Sequence, residues 1–187
     1  MKASAALDQE ADYLLMDIGG GSVEFIHSQK AEAVWKISLE IGMARLNELF
    51  PLNDPPEAAM LDAATAWLRE RLDPLFSYLQ NQKQMTLCGS AGSFDTLIAL
   101  QHKGTQYEMV SELSKADFSY WRENLWQMPR KTRAALPGMK PIRVDMLVYA
   151  LLLIGLVNDA LGGGAIRTSS WSLREGALLE LLGGCDS

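Results

Sequence analysis

The chain has 187 residues, of which 48% are hydrophobic and 21% charged, and its formal net charge is −6. This size and balance are typical of one globular domain and exclude a disordered or fibrous protein. The acidity argues against bulk nucleic-acid binding, which depends on a basic face. The longest apolar run, Met146 to Val157, is shorter than the roughly 20 residues of a membrane helix. With no secretory signal visible, we expect a cytoplasmic protein without a membrane segment.

The first part of the chain predicts three short strands. Tyr13 to Met16 is an apolar run that ends at Asp17 and the glycines Gly19 to Gly21, the pattern of a buried strand entering a tight turn. Ser22 to His27 and Ala33 to Ser38 follow as further strands. Three successive strands predict an antiparallel meander, and we expect the glycines to supply positive φ values at its first turn.

Helices are predicted next. Leu39 to Phe50 is expected to form a short helix that ends before a proline. Asp54 is expected to cap a longer helix, whose apolar residues recur every three or four positions as far as Leu79. Pro74 lies inside that pattern and should kink or break the helix.

A second glycine turn follows the next predicted strand. Gln84 to Cys88 is short and apolar, Gly89 to Ser93 is a turn of small residues, and Phe94 to Leu100 has the composition of a helix. Beyond it we expect a helix that starts at Ser114, an apolar helix from Asp145 to Leu161, an edge strand from Ile166 to Thr168, and a last helix to Leu182 opened by Ser172 and Glu175.

The first turn has the residues of a phosphate site. Gly19, Gly20 and Gly21 leave the backbone bare, so that phosphate oxygens can approach its N–H groups, and the Ser22 hydroxyl is a further donor. A carboxylate next to a phosphate fits best with a divalent cation, so Asp17 is our candidate metal ligand and catalytic residue; it could also orient an attacking water. The alternative is a hairpin whose glycines only permit the turn.

The second turn is a candidate anion site because it leads from a strand into a helix N-terminus, where N–H groups and a partial positive charge are exposed. Gly89 and Gly92 would donate through the backbone, and Ser90 and Ser93 through hydroxyls. The alternative is that the two serines only cap the helix. A Walker-type loop is absent from the sequence.

Asp17-Ile18-Gly19-Gly20-Gly21-Ser22-Val23-Glu24-Phe25 resembles the second phosphate motif of the exopolyphosphatase / guanosine pentaphosphate phosphatase family. The resemblance continues in family order through Ser38, Ile41-Gly42, Arg45-Leu46, the turn at Gly89 to Ser93, and Leu173-Arg174-Glu175-Gly176. It implies an α/β domain of the RNase-H-like, actin-like ATPase type, with a mixed sheet of about five strands and helices packed on it.

The resemblance also implies a function. Family members remove terminal phosphates from polyphosphate or guanosine pentaphosphate with Mg²⁺, in a cleft between two domains. This chain is similar to the second domain only. The first domain, with its own phosphate loop and the glutamate that acts as general base, has no counterpart in the sequence, so we expect the chain alone to be inactive. Two alternatives are half of a related kinase or ATPase, and a non-catalytic phosphate-binding module. The sequence leaves a homodimer open.

Four further groups of residues have both a functional and a structural interpretation. Glu24 lies on a strand that could point it at the site or at solvent. The segment from Arg130 to Arg143 is basic and free of acids, which indicates a solvated loop or, alternatively, a path for a long polyanion, with Arg130, Lys131 and Arg133 as its possible site residues. His27 and His102 have no metal-ligand spacing, so surface or loop positions are expected. Arg174 and Glu175 are expected to be structural.

Overall fold

A computed structural model describes residues 11–30, 32–82, 84–90, 92–105 and 110–169. Within these residues six strands form: β1 (Tyr13–Ile18), β2 (Val23–Gln29), β3 (Glu32–Leu39), β4 (Thr86–Ser90), β5 (Val110–Leu113) and β6 (Ile166–Ser169). The same residues form seven α-helices: α1 (Met43–Leu49), α2 (Ala58–Arg71), α3 (Asp73–Leu79), α4 (Gly92–Gln101), α5 (Lys115–Asn124), α6 (Arg130–Ala134) and α7 (Met146–Ala160). Among the described helices, none has both the length and the apolar composition to cross a membrane.

The strands form one mixed sheet in the order β3-β2-β1-β4-β6-β5. β1, β2 and β3 are antiparallel neighbours, so the predicted meander is confirmed. β4 runs parallel to β1, and β6 runs parallel to β4. The carboxyl ends of β1, β4 and β6 therefore meet at one edge of the sheet. In open α/β sheets, ligands bind at this edge.

The sheet has six strands where about five were expected. The additional strand is β5, whose four residues are too short for a readable alternation of polar and apolar side chains. β5 pairs with β6 on the side away from β4. The prediction that Ile166 to Thr168 forms an edge strand is therefore wrong, because β5 covers its outer side.

The helices α1, α2 and α3 differ in part from their predicted bounds and caps. α1 begins only at Met43, because Leu39 completes β3. Pro74 interrupts the long helix as expected and stands in the first turn of α3, where its missing N–H is not needed. Asp54 does not cap α2, whose N-cap residue is Glu57. The Asp54 carboxylate instead accepts a hydrogen bond from the backbone N–H of Arg130 at 2.5 Å.

The core lies between the sheet and the helices. Leu14 and Met16 of β1 and Phe25 of β2 are fully buried, and α7 packs against α1, α2, α4 and α5. α7 is buried on most sides, which confirms the interpretation of its apolar sequence. Apolar residues on all faces of a helix are typical of the centre of a core.

His27 is not at the surface, so that prediction is wrong. Its side chain is 3% exposed, and its Nδ1 lies 2.7 Å from the hydroxyl oxygen of Tyr78 on α3. Tyr78 also stacks on Trp35 of β3, with ring centroids 4.0 Å apart. His27 is thus part of the contact that joins α3 to the sheet.

Candidate functional site

A row of polar side chains crosses the sheet at the edge where the parallel strands end. The strand register pairs Asp17 of β1 with Glu24 of β2 on one side and with Ser90 of β4 on the other. Ser38 of β3 extends the row beyond Glu24, and Ser169 of β6 extends it beyond Ser90. Because directly paired residues project from the same face of a sheet, these five side chains lie side by side.

The first glycine turn closes beside this row. The Gly19 N–H donates to the Ser22 carbonyl at 3.0 Å. The carbonyls of the turn accept hydrogen bonds from the start of α1: Gly42 donates to Gly21, Met43 to Gly19 and Ala44 to Gly20, at 2.8–3.0 Å. The turn and the N-terminus of α1 therefore hold each other in place.

The turn does not use positive φ values, contrary to expectation. The glycines with positive φ among the described residues are Gly92, Gly104, Gly138, Gly162 and Gly163. A Cβ at Gly21 would meet nothing within 4 Å, and a Cβ at Gly20 would meet only Ala44 at 3.9 Å. Neither backbone conformation nor packing within the described chain requires glycine at these two positions. The result is a bare backbone surface next to Asp17, as a phosphate site needs.

Glu24 is held by two hydroxyl groups. The Ser22 hydroxyl donates to Glu24 Oε1 at 2.5 Å, and the Ser38 hydroxyl donates to the same oxygen at 2.9 Å. Glu24 is half-buried and adjacent to Asp17, so it lies on the site face rather than pointing away into solvent. Ser22, expected to donate to a phosphate, donates to Glu24 in this structure.

The carboxylates of Asp17 and Glu24 fit a magnesium ion only together with other ligands. No cluster of three or more His, Cys, Asp or Glu side chains that could hold a metal occurs in the described part of the chain. Mg²⁺ is commonly bound by one or two carboxylates, with water and substrate phosphates completing its six ligands. Two neighbouring carboxylates beside a bare glycine turn match this pattern.

The second glycine turn connects β4 to α4, as predicted. A Cβ on Gly89 would overlap the ring of Phe94, so Gly89 is glycine for packing. Gly92 has a φ of +57°, which favours glycine. Ser90 and Ser93 are 9% and 0% exposed, and within the described residues their hydroxyls have no hydrogen-bond partner. The Ser93 hydroxyl therefore does not cap α4, and both hydroxyls are buried polar groups without a partner among the described residues.

Arg143, the last residue of the basic segment, lies beside this second turn. Its Nη2 lies 3.1 Å from the position that a Cβ on Gly92 would occupy. Arg143 comes from the 3-10 turn Pro141–Arg143, far from Gly92 in the sequence. A guanidinium beside the turn at Gly92 is suited to binding an anion. The only signal in the sequence was its place in the acid-free segment.

The basic segment is not the solvated loop that was expected, because it contains α6 and a 3-10 turn. The Arg133 side chain is 1% exposed and donates to Asp145 Oδ1 at 2.9 Å and to the carbonyls of Met128 and Val144. Arg130 Nε donates to Asp145 Oδ2 at 2.8 Å. Buried Arg133 therefore cannot line a surface path for a polyanion, whereas Lys131 is exposed.

Asp145 is the centre of this ion-pair network. Burial alone would raise the pKa of its carboxyl, but the hydrogen bonds and charges of Arg130 and Arg133 hold that pKa below the ordinary value of 3.8. The charged carboxylate at the start of α7 therefore ties α6 to the segment that carries Arg143. The motif Leu173-Arg174-Glu175-Gly176, with Ser172, lies outside the described residues.

The sequence matches the profile of the Ppx/GppA phosphatase family over residues 3–184. A curated relative, exopolyphosphatase 2 of Mycobacterium tuberculosis, is 33% identical over 181 residues, which cover 92% of this chain and 56% of that protein. The chain thus spans little more than half the length of this relative.

Solved structures agree with the sequence matches. The crystal structure of an exopolyphosphatase from Cytophaga hutchinsonii superposes with a TM-score of 0.88 at 36% identity, covering 99% of this chain and 61% of that one. A Ppx/GppA family member from Aquifex aeolicus superposes with a TM-score of 0.83 at 23% identity, covering 100% of this chain and 61% of that one. The predicted RNase-H-like fold of the actin-like superfamily is confirmed.

Proposed function

This chain belongs to the Ppx/GppA phosphatase family, and from that membership we propose that it is the second domain of a phosphoanhydride hydrolase. The substrates would be inorganic polyphosphate or guanosine pentaphosphate, from which the complete enzyme releases terminal phosphate. The observation that carries this proposal is the bare surface at Gly20 and Gly21 beside the carboxylates of Asp17 and Glu24. A phosphate with its cation would explain glycines that nothing in the described fold requires.

The residues of the site would have distinct roles. The N–H groups of the first turn at Gly20, Gly21 and Ser22 would bind the terminal phosphate, whereas the Gly19 N–H, also expected to do so, already donates to the Ser22 carbonyl. Asp17 and Glu24 would hold Mg²⁺, whose charge neutralises the transferred phosphoryl group. Ser90, Ser93 and Arg143, together with the backbone at Gly92, would bind a neighbouring phosphate. In this arrangement the chain binds and orients its substrate, and catalysis depends on positioning and charge.

The proposed general base comes from a first domain. The chain spans 56% of the Mycobacterium tuberculosis relative and 61% of the Cytophaga hutchinsonii structure, so each has room for a further domain. The base that would activate water is then supplied from across the cleft. We therefore expect the 187-residue chain to bind a polyphosphate substrate without hydrolysing it.

Binding and turnover should be measured separately. Calorimetric titration of the chain with tripolyphosphate and Mg²⁺ should show binding that is lost in Asp17→Ala and kept in Asp62→Ala, a control at an exposed position of α2. Phosphate release should remain at background until a first domain from a relative is added. Absence of binding would contradict the phosphate site, and release by the chain alone would contradict the need for a first domain.

A non-catalytic polyphosphate-binding module is the second candidate. The described site lies on a chain that covers 61% of a related exopolyphosphatase, and one face of a proposed cleft would be able to bind without catalysing. Tripolyphosphate binding that persists without turnover, even with an added first domain, would favour this function over the hydrolase.

A further inference from the structure

We propose that Ser38 is a positioning residue, which fixes the Glu24 carboxylate so that its second oxygen is available to a divalent cation. This inference rests on the proposed function, because it concerns the cation site formed by Asp17 and Glu24. Ser38 lies on β3, outside both glycine turns in the sequence.

The geometry begins with the strand register. Ser38 pairs directly with Glu24 across β3 and β2, so both side chains project from the same face. The Ser38 hydroxyl donates to Glu24 Oε1 at 2.9 Å. The Ser22 hydroxyl reaches the same oxygen from the glycine turn at 2.5 Å. Two donors from different elements therefore converge on one carboxylate oxygen.

This convergence distinguishes the two oxygens of Glu24. Oε1 accepts both hydroxyl protons, and neither of these two hydrogen bonds involves Oε2. A glutamate side chain has several rotatable bonds, and hydrogen bonds from neighbouring side chains commonly orient a metal-binding carboxylate. A single hydrogen bond from Ser22 would leave the Glu24 carboxylate free to rotate about Oε1. Hydrogen bonds from Ser22 and Ser38 together restrict that rotation.

The position of Ser38 indicates that this role is separate from stability. Ser38 is exposed on β3, an edge strand, and its side chain fills no part of the core. Substitutions at exposed positions usually change stability by less than about 0.5 kcal/mol. Loss of the hydroxyl should therefore alter the cation site while the fold remains unchanged.

The test compares four variants by direct binding of Mn²⁺, followed by electron paramagnetic resonance, and by thermal unfolding. Ser38→Ala should weaken Mn²⁺ binding by about tenfold, as expected for loss of a group that orients a ligand. Ser38→Thr keeps a hydroxyl and should restore binding. Ser77→Ala, an exposed serine on α3, should bind as the unsubstituted chain does. Asp17→Asn should lose binding, and all four should unfold at the same temperature.

The outcomes separate this inference from the proposed function. If Ser38→Ala binds Mn²⁺ as tightly as the unsubstituted chain while Asp17→Asn does not bind it, Ser38 has no positioning role and the cation site stands. If Ser38→Ala and Ser38→Thr are equally impaired, the hydroxyl is not the cause and the inference is wrong. If the unsubstituted chain does not bind Mn²⁺, the cation site of the proposed function fails, and the role of Ser38 with it.

Discussion

Glycine occurs for different physical reasons at neighbouring positions of the site. Position 42 must be glycine because a Cβ there would overlap the backbone of Gly20. Position 89 must be glycine because a Cβ there would overlap the ring of Phe94. Gly92 has a positive φ. Gly20 and Gly21 have neither reason. A sequence prints the same letter in all five cases, and only coordinates separate the glycines that the fold needs from those that a ligand would need.

Gly21→Ala should therefore separate binding from stability. An alanine at this position meets no neighbour within 4 Å, so stability should be unchanged or higher by about 0.4–1 kcal/mol, because alanine restricts the unfolded chain. Tripolyphosphate affinity should fall by about tenfold if a methyl group keeps the phosphate from the backbone, since a hydrogen bond to a charged group contributes about 1.5–3 kcal/mol. Urea unfolding and calorimetry measure the two effects.

Gly42→Ala is the matched control with the opposite expectation. Its Cβ would overlap the backbone of Gly20 and Gly21, and overpacking of this kind costs about 1–3 kcal/mol. A Gly42→Ala variant as stable as the unsubstituted chain would contradict the packing described for the turn and α1. Gly21→Ala with full tripolyphosphate affinity would remove the observation on which the proposed function depends.

At the scale of elements, the acid-free basic segment (residues 130–143) is held in place by one acidic side chain, Asp145, which follows it in the sequence. Asp145 accepts from both Arg130 and Arg133, and Arg133 also bonds two backbone carbonyls. These contacts fix α6 against the start of α7, and the intervening Arg143 is thereby placed beside Gly92. Charge counting along the sequence detects the basic residues but not the partner that neutralises two of them.

Arg133→Met should destabilise the protein by about 3 kcal/mol, because it removes the buried partner of Asp145 and leaves two carbonyls without their donor. Lys131→Met, two residues earlier on the exposed side of α6, should stay within about 0.5 kcal/mol of the unsubstituted chain. Urea unfolding at neutral pH compares the two. Equal stabilities would mean that the Arg133 network contributes nothing to the fold.

The Asp145 network also predicts a dependence of stability on pH. The pKa of Asp145 is lowered in the folded chain, so its contribution is complete above the unfolded pKa of 3.8 and is lost as pH falls through the folded pKa. The free energy of unfolding should therefore decrease below about pH 4, and less steeply in Asp145→Asn. Urea unfolding from pH 7 down to pH 3 tests this. Parallel curves for the two proteins would contradict the role of Asp145.

Local patterns predicted most elements but not their partners. The meander, the strand-turn-helix at Gly89 to Ser93, and α7 were predictable, because alternation, small residues and an apolar run each act over a few neighbours. Asp54, His27 and Arg133 were misinterpreted because their partners Arg130, Tyr78 and Asp145 lie elsewhere in the fold. Glu24 could be placed on the site face only once the register of β1, β2 and β3 was known.

At the scale of the whole molecule, the site combines two turns that are far apart in the sequence. β1 and β4 are parallel neighbours, so the turns that follow them open at the same edge of the sheet. Under the proposed function, this edge would give an acidic chain, with a net charge of −6, a local surface for a polyanion. At physiological ionic strength, charges farther apart than about 8 Å are largely screened, so local cations rather than net charge decide anion binding.

Of the three residues expected to line a path for a polyanion, Arg133 is buried and Arg130 is paired with Asp145. Lys131 is exposed and is therefore the residue to test. It lies on α6, which Asp145 connects to the segment with Arg143. Lys131→Glu should weaken the binding of long-chain polyphosphate several-fold and flatten its salt dependence, while pyrophosphate, which is expected to occupy only the glycine turns, should bind unchanged.

Lys103→Glu makes the same change in net charge at the far end of α4 from Gly92, so it should leave the affinity for both ligands unchanged. Affinities measured by calorimetry at low and physiological salt distinguish a local path from a general effect of charge. Equal losses in Lys131→Glu and Lys103→Glu would mean that the acidity of the whole chain controls binding. No loss in either variant would confine the polyphosphate site to the two glycine turns and Arg143.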